Sequence, residues 1–278
     1  MLEKIILYVQ HLRNPESILH RQQNHQEEWL IEVICLREQL YTIPTCKNKL
    51  LLIVDDASTA KELIEEGYYV IGYCHRDNSS QEFTIRYLIE EIEEVEYTYF
   101  EEVYNAYHGV SRIVITTSRC ILREITLEDV PKLYEIYCEK EVTQYVEPLY
   151  ENMEEEMEYT KKYIENMYGF YGYGIWIVEE KGTGCVIGRA GLEANGQQGE
   201  VDMGFLLLQE KQRIGIGYEL CCAMIAFAKK MKLCHKINCL VQSGNIPSIN
   251  LCKKVGFIDQ GVIQQSNKYY KKFQLDLS

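Results

Sequence analysis

The sequence predicts an α/β (α+β) protein of two domains: a small α/β domain over residues 1–117, then a larger domain over residues 118–278 whose mixed sheet is flanked by helices. Three observations lead there. The 278 residues exceed one ordinary domain of ~100–150. A strand, helix, strand pattern occupies Leu50 to Tyr73. In the second part, several short strands separated by turn signals precede a long helix, an order that gives antiparallel neighbours before a crossover. Hydrophobic residues at 46% and charged residues at 26% suit a chain that buries a core, which excludes disordered and collagen-like readings.

In the first domain, the apolar run Leu50 to Val54 ends in Asp55-Asp56, a helix over Ala60 to Glu66 closes at Gly67, and Tyr68 to Tyr73 reads as the next strand. Upstream, Leu30, Val33, Ile34, Leu40 and Tyr41 mark a helical stripe within Glu27 to Tyr41, and Phe83 to Glu94 reads as another amphipathic helix. A Tyr- and Glu-rich segment, Glu94 to Tyr107, follows. The break falls within Ser111 to Cys120, where Ile113 to Thr117 fits a strand or an extended linker, and the second domain opens at Cys120 to Ile125. Thr126 to Asp129 starts a helical region reaching about Met167. The strands Ile175–Glu179, Val186–Leu192 and Val201–Leu208 come next, separated by Lys181-Gly182-Thr183-Gly184 and Asn195-Gly196.

Charge narrows the function classes. Lys and Arg number 29 against 42 acids, a net charge of −13, which repels phosphate backbones and anionic lipid, so neither nucleic acid nor a membrane is an expected partner. No apolar stretch of ~18 residues occurs and the start lacks the long apolar core of a secretion signal, so a cytoplasmic location is expected. The eleven cysteines are odd in number and form no Cys-x-x-Cys pair, which fits free thiols better than a disulfide framework. Cys234, His235 and Cys239 lie close together without the four paired ligands of a zinc site, so no metal is expected.

The stretch that carries chemistry is Gln212-Arg213-Ile214-Gly215-Ile216-Gly217, which joins the strand Val201–Leu208 to a helix with Leu220, Met224, Phe227 and Met231 on one face. Glycines at such a turn let a ligand approach the main chain. The unpaired N–H groups of the first helical turn then face the ligand, which favours a pyrophosphate. The spacing is not that of a dinucleotide fingerprint or a P-loop. A further strand, Lys236 to Val241, leads through Gln242-Ser243-Gly244-Asn245 into a short helix with Pro247 at its start and Gly256 at its stop.

With these residues the sequence resembles the GNAT superfamily of N-acetyltransferases, and within it the ribosomal-protein N-terminal acetyltransferase branch. Gln212, Gly215 and Gly217 match its acyl-CoA loop, and Asn245, Ser248 and Gly256-Phe257 match its later helix. Gly172 to Val178, Ile187 to Leu192 and Asp202-Met203-Gly204-Phe205 are similar to its strands, so the resemblance covers about Cys120 to Ser278. It implies the acyl-CoA N-acyltransferase fold with a splayed sheet, and acetyl-CoA as cosubstrate. The main chain at Phe205 and Leu207 would pair with the pantetheine arm, and the amides of Arg213, Ile214, Gly215, Ile216 and Gly217 would take the pyrophosphate. Asn245 would hold the arm with Ser248 near it, and an N–H near Leu207 would serve the oxyanion. The acceptor would be an amine on a protein N-terminus or a small molecule. Asp202 would be the general base, unless it is a structural aspartate. Cys252 stands where many relatives place a Tyr acid; it would donate the proton or simply fill the core. That departure supports a second reading, an acyl-CoA-binding sensor with little transferase activity.

Seven tyrosines, Tyr145, Tyr150, Tyr159, Tyr163, Tyr168, Tyr171 and Tyr173, crowd the region where the resembling family binds acceptors, and they would line a cleft or simply pack. The run Glu151 to Glu158 reads as a solvated helix face, although carboxylates near an acceptor site would attract a cationic amine. Leu51 to Asp56 resembles the first strand and acid pair of response-regulator receivers. The later Asp and Lys of that family have no counterparts, so these acids read as caps of the following helix. For the first domain, pairing into a homodimer, substrate gating and effector binding are all open.

Overall fold

Leu50–Val54 is buried at every position, the pattern of a strand covered on both faces, and it forms the middle of a parallel sheet. The structure is a computed structural model and describes residues 2–10, 30–35, 43–265 and 268–277. The chain divides into two units, Met1–Val110 and Ser111–Ser278.

In the first unit, β1 (Lys4–Val9), β2 (Leu30–Cys35), β3 (Leu50–Val54), β4 (Val70–Tyr73) and β5 (Leu88–Ile89) lie in the order β2-β1-β3-β4-β5, every neighbouring pair parallel. Helix α1 (Ala57–Glu65) starts at Asp56, whose carboxylate accepts from the Thr59 N–H at 2.8 Å, so this acid is a cap as expected. Its Ala60 and Leu63 cover one face of the sheet with Ile6, Leu52, Val54 and Val70. Phe100, Val103 and Tyr104 of α2 (Tyr97–Tyr107) cover the other with Leu7, Leu51, Ile53 and Ile71. The alternation of the strand residues between these two clusters is the period of two at work.

Two expected helices are not formed. Within Glu27 to Tyr41, Leu30–Cys35 pairs with β1 over six residues as a parallel strand, and the remainder of that stretch lies outside the described residues. A short apolar run satisfies both periods, and here sheet pairing decides between them. Phe83 to Glu94 is no amphipathic helix and ends in a single 3-10 turn at Ile92–Glu94: Leu88 pairs with Gly72 at the sheet edge, and Phe83, Ile85 and Leu88 close over Gly72, where a Cβ would lie 2.6 Å from Leu88. Strand β1 was not expected from the sequence.

The second unit is built on one eight-stranded sheet ordered β12-β13-β11-β10-β9-β8-β7-β6. Its strands are β6 (Ile113–Thr116), β7 (Cys120–Arg123), β8 (Ile175–Glu180), β9 (Cys185–Ala194), β10 (Glu200–Leu207), β11 (Lys236–Gln242), β12 (Ile258–Gln265) and β13 (Lys268–Asp276). All neighbours are antiparallel except β10 and β11. The segment Ile113 to Thr117 is thus a strand and no linker, and the closing hairpin β12-β13 went unread. The helical region after Thr126 is broken into α3 (Val130–Tyr137), a single turn at Lys140–Thr143, and α4 (Met153–Tyr163), which Asn152 caps. Thr126 and Asp129 form a reciprocal capping box, and Asp129 also holds the Arg123 guanidinium at 2.7 Å.

Helix α5 (Ile216–Lys230) buries Ile216, Leu220, Cys221, Met224 and Ala228. Met231, expected on that face, follows the last turn and is 54% exposed. Trp176 is fully buried at the core, with the Phe227 ring edge-on at 5.4 Å. Helix α6 (Ile246–Val255) follows β11 and ends at Gly256 in the left-handed conformation. No helix among the described residues is long and apolar enough to cross a membrane.

Strand β9 passes its neighbours so closely that only glycine fits at two places. A Cβ on Gly188 would sit 2.0 Å from the Leu206 carbonyl oxygen, and one on Gly191 would sit 2.2 Å from that of Gly174. Both obstacles are main chain and cannot swing away. Gly191→Ala should therefore cost about 3 kcal/mol in urea unfolding, at the upper end for overpacking. Gly182→Ala, which meets nothing within 4 Å, should stay within about 0.5 kcal/mol.

Candidate functional site

Strands β10 and β11 pair only over Glu200, Val201 and Asp202 with Lys236, Ile237 and Asn238, and then part. Along a strand, successive N–H and C=O groups point to alternate neighbours. The Leu208 N–H donates to the Ile187 carbonyl of β9 at 2.9 Å, so the alternation turns the main-chain groups of Phe205 and Leu207 away from β9 and into the gap. The Leu207 carbonyl is taken by the Gln212 side-chain amide at 2.9 Å. The Phe205 and Leu207 amides remain as the strand edge.

The gap runs to the start of α5. Gly215, the residue before that helix, has φ 90°, a left-handed conformation suited to glycine, and no side chain caps the first-turn N–H groups. Arg213 is also left-handed at φ 59°. At Gly217 a Cβ would press on Phe205 and Leu251 at 3.2 and 3.3 Å, so its absence keeps this wall open. A cavity of about 640 Å³ and a second of about 820 Å³ meet here. The larger is lined by Phe205, Leu207, Gln212, Arg213, Gly215, Gly217, Asn245 and Ser248, all expected at the cofactor. Ile214 and Ile216 do not line it: Ile214 points outward and is 55% exposed, while Ile216 is in the core. Asn245 caps α6 by accepting from the Ser248 N–H at 3.2 Å and also lines the cavity, so a capping position and a wall position coincide.

One brace of this loop was not read from the sequence. Arg119, in the turn between β6 and β7, donates to the Ile214 carbonyl at 2.8 Å and pairs with Glu219 of α5 at 2.7 Å. Glu219 also accepts from the Arg119 main-chain N–H and the Ser118 hydroxyl, each at 2.9 Å. Burial alone would raise the Glu219 carboxyl. Hydrogen bonds from Thr117, the Arg119 main chain and guanidinium, and Ser118 outweigh it and hold the pKa at about 2. No local pattern links residues a hundred positions apart.

The smaller cavity shares Tyr145, Phe205, Leu206, Asn245, Ser248 and Leu251 with the larger. Cys221, Cys239 and Cys252 line it. The Cys239 thiol hydrogen-bonds Cys252 and holds the Cys252 pKa below the ordinary thiol value, while that bond and burial push Cys239 well up; burial drives Cys221 up to about 12. Of the three, Cys252 is the thiol that ionises first.

Asp202 does not line either cavity. It lies where β10 and β11 are still paired, and its carboxylate accepts from the Asn195 amide at 2.8 Å. Its directly opposite partner on β9, Glu193, does line the smaller cavity and accepts from the Tyr163 hydroxyl at 3.1 Å. The strand pair thus offers a different acid from the one the sequence singled out. Of the seven tyrosines, Tyr145, Tyr150 and Tyr159 line this cavity. Tyr163 accepts from the Ile175 N–H, Tyr168 spans Ile125 and Ile175, and Tyr171 pairs with Tyr173, so these pack. Within the acidic run of α4, Glu156 departs from the solvated face: it is 3% exposed and lines the cavity, as do Arg189 and Tyr137.

Residues 119–258, half of the chain, match the family model described as an acetyltransferase (GNAT) domain. The chain is 29% identical over 156 residues, 55% of its own length and 86% of the relative's, to the uncharacterized N-acetyltransferase YoaA of Bacillus subtilis (strain 168). Among solved structures, the acetyl transferase of Salmonella typhimurium that modifies the N-terminal serine of ribosomal protein L7/L12 superposes with a TM-score of 0.52 at 14% identity, over 60% of this chain and all of that one. RimL, a ribosomal L7/L12 alpha-N-protein acetyltransferase solved with coenzyme A, gives the same score and identity over 59% of this chain and 98% of its own.

The Arg119–Glu219 brace has a pH signature. A carboxyl at about 2 in the folded chain, against the ordinary 4.5, contributes stability that is complete above the ordinary value and lost as pH falls through the range down to about 2. Glu219→Gln should melt below the unsubstituted protein at neutral pH, and the gap should narrow between pH 5 and pH 3 in thermal scans. A gap independent of pH would assign the brace no such role.

Proposed function

The chain belongs to the GNAT acetyltransferase family and is an acyltransferase, and from that premise we propose that residues 111–278 carry an acetyl group from acetyl-CoA to a primary amine of a peptide N-terminus or small molecule, by direct attack of the amine. The observation that carries this reading is the continuous path from the β10–β11 gap, edged by the Phe205 and Leu207 amides, to the uncapped start of α5. An extended pantetheine arm would complete the strand edge as an added strand does. The pyrophosphate would meet the N–H groups from Arg213 to Gly217, with the Arg213 side chain adding charge, and Asn245 and Ser248 would hold the arm from the α6 side.

Two proton movements are needed: one from the acceptor ammonium before attack and one to the departing thiolate. For the first we assign Glu193, which lines the cavity, in preference to Asp202, which does not. For the second, Cys252 is the thiol at the cavity whose proton is most readily given up. Its help is modest, because a CoA thiol with an ordinary pKa of ~8.5 leaves readily as thiolate. An N–H turned into the gap at Leu207 would meet the oxyanion. The L7/L12 acetyltransferases of the same fold act on an N-terminal serine, which makes a peptide α-amine one acceptor to try.

Calorimetry should detect acetyl-CoA binding. Gly215→Ala, which forces a side chain into a left-handed position, should weaken binding by about tenfold and cost only about 1 kcal/mol of stability. Absence of binding heat would sink the proposal. In a thiol-release assay with an accepted amine, Glu193→Gln should lower kcat/KM by about 100-fold, the range for a lost general base, and Cys252→Ser by less than about tenfold. An Asp202→Asn variant more impaired than Glu193→Gln would return the base to Asp202.

A further inference from the structure

The α4 helix presents six charged residues among Glu154 to Lys162, and only one of them turns inward. Glu156 is 97% buried by its 3% exposure, and it lines the cavity that would receive the acceptor. One of its oxygens accepts from the Tyr150 N–H at 3.0 Å, and it forms no ion pair with any cation among the described residues. A carboxylate at such depth costs several kcal/mol unless a cation or a set of donors offsets it, and a single main-chain N–H is a small part of that.

The walls around it suit a cation. Glu193 adds a second carboxylate, and its Tyr163 hydrogen bond leaves the charge uncompensated. The Tyr150 and Tyr159 rings, 5.7 Å apart and both lining the cavity, offer faces to an ammonium. Among the described residues Arg189 is the one basic side chain lining the cavity, and its guanidinium is turned to the Tyr137 hydroxyl at 3.4 Å without an ion pair to either glutamate. The cavity therefore carries two buried or half-buried carboxylates, and only one of them is needed to take a proton from the reacting amine.

We propose that the acceptor is a small aliphatic diamine or polyamine, whose distal ammonium is held by Glu156 beside the Tyr150–Tyr159 pair while the amine to be acetylated is presented at Glu193. The inference rests on the acetyl-transfer reading and names its substrate class. In the transfer, the unprotonated terminal nitrogen forms the amide bond with the acetyl carbon as the carbon–sulfur bond to CoA breaks. The first proton of the ammonium goes to Glu193 before attack, the electron pair of the broken bond leaves on sulfur, and the second proton, shed by the nitrogen as the amide forms, goes to that thiolate as CoA leaves as the thiol. A peptide N-terminus brings one cation and leaves Glu156 unmatched.

The test is thiol release from acetyl-CoA by the full chain with straight-chain diamines of increasing length, monoamines matched in length, and a serine-terminated peptide. The best diamine should exceed its monoamine in kcat/KM by at least about tenfold, as expected for one desolvated charge pair. Glu156→Gln, which keeps shape and the Tyr150 hydrogen bond, should raise the diamine KM by about tenfold and bring the diamine-to-monoamine ratio toward one. Monoamines or the peptide used as well as diamines by the unsubstituted protein would overturn the inference and leave acetyl transfer standing. A ratio unmoved in Glu156→Gln, in a variant that still binds acetyl-CoA, would overturn it as well. No thiol release with any amine would overturn both readings, and acetyl-CoA binding heat in that case would leave a protein that binds the cosubstrate without transferring it.

Discussion

The second unit depends on one interrupted strand pair. Had β10 and β11 stayed paired along their length, every main-chain amide between them would be satisfied within the protein and no ligand could enter the sheet. They part after Asp202 and Asn238, which leaves the Phe205 and Leu207 amides on an open edge. Such an edge in a protein interior is a standing demand for hydrogen-bond partners, and it defines the shape of what can fill it: an extended chain with amide groups of its own. The hairpin β12-β13 and the tight β8-β9-β10 packing around Gly188 and Gly191 hold the two halves of the sheet on either side of the gap. The opening is thus a feature of a rigid frame.

At the mouth of the gap, the same logic continues with a helix end in place of a strand edge. Gly215 opens α5 with no side chain to cap it, which leaves first-turn N–H groups for an external acceptor. Arg119 fixes the loop from behind by holding the Ile214 carbonyl, and Glu219 anchors Arg119 in turn. The cations at this end are therefore divided: Arg119 is neutralised within the brace, and Arg213 is available to a ligand. The anion site proposed here would rely on main-chain dipoles and so would tolerate the overall charge of −13.

This division explains what was legible in the sequence. Main-chain sites leave local marks, because only glycine fits the left-handed turn at Gly215 and only a cap such as Asn245 fits before Pro247, and such residues stand within a few positions of one another. The strand, turn and helix order of the second unit was legible for the same reason. Side-chain sites are assembled from distant elements and leave no spacing to read. Asp202 and Glu193 sit opposite each other on adjacent strands, so choosing between them requires knowing where the gap begins, and that is a property of the sheet. Arg119 with Glu219 and Phe83 folded over Gly72 are tertiary facts of the same kind.

Glu156 shows how a local pattern can hide the one residue that the fold sets apart. In a run of acids on one helix, each additional carboxylate looks like solvation, and the helix period alone assigns Glu156 no special face. The fold nonetheless turns that one residue inward, where α3, α4 and β9 supply Tyr137, Tyr159, Arg189 and Glu193. A residue with no function would be expected to exchange for something apolar there, since a buried acid is costly and its volume is easily filled. In the proposal made above, a bound cation offsets that cost. The path proposed for the cofactor is edged by main chain, whereas the cavity proposed for the acceptor is walled by charges and rings that suit a cation.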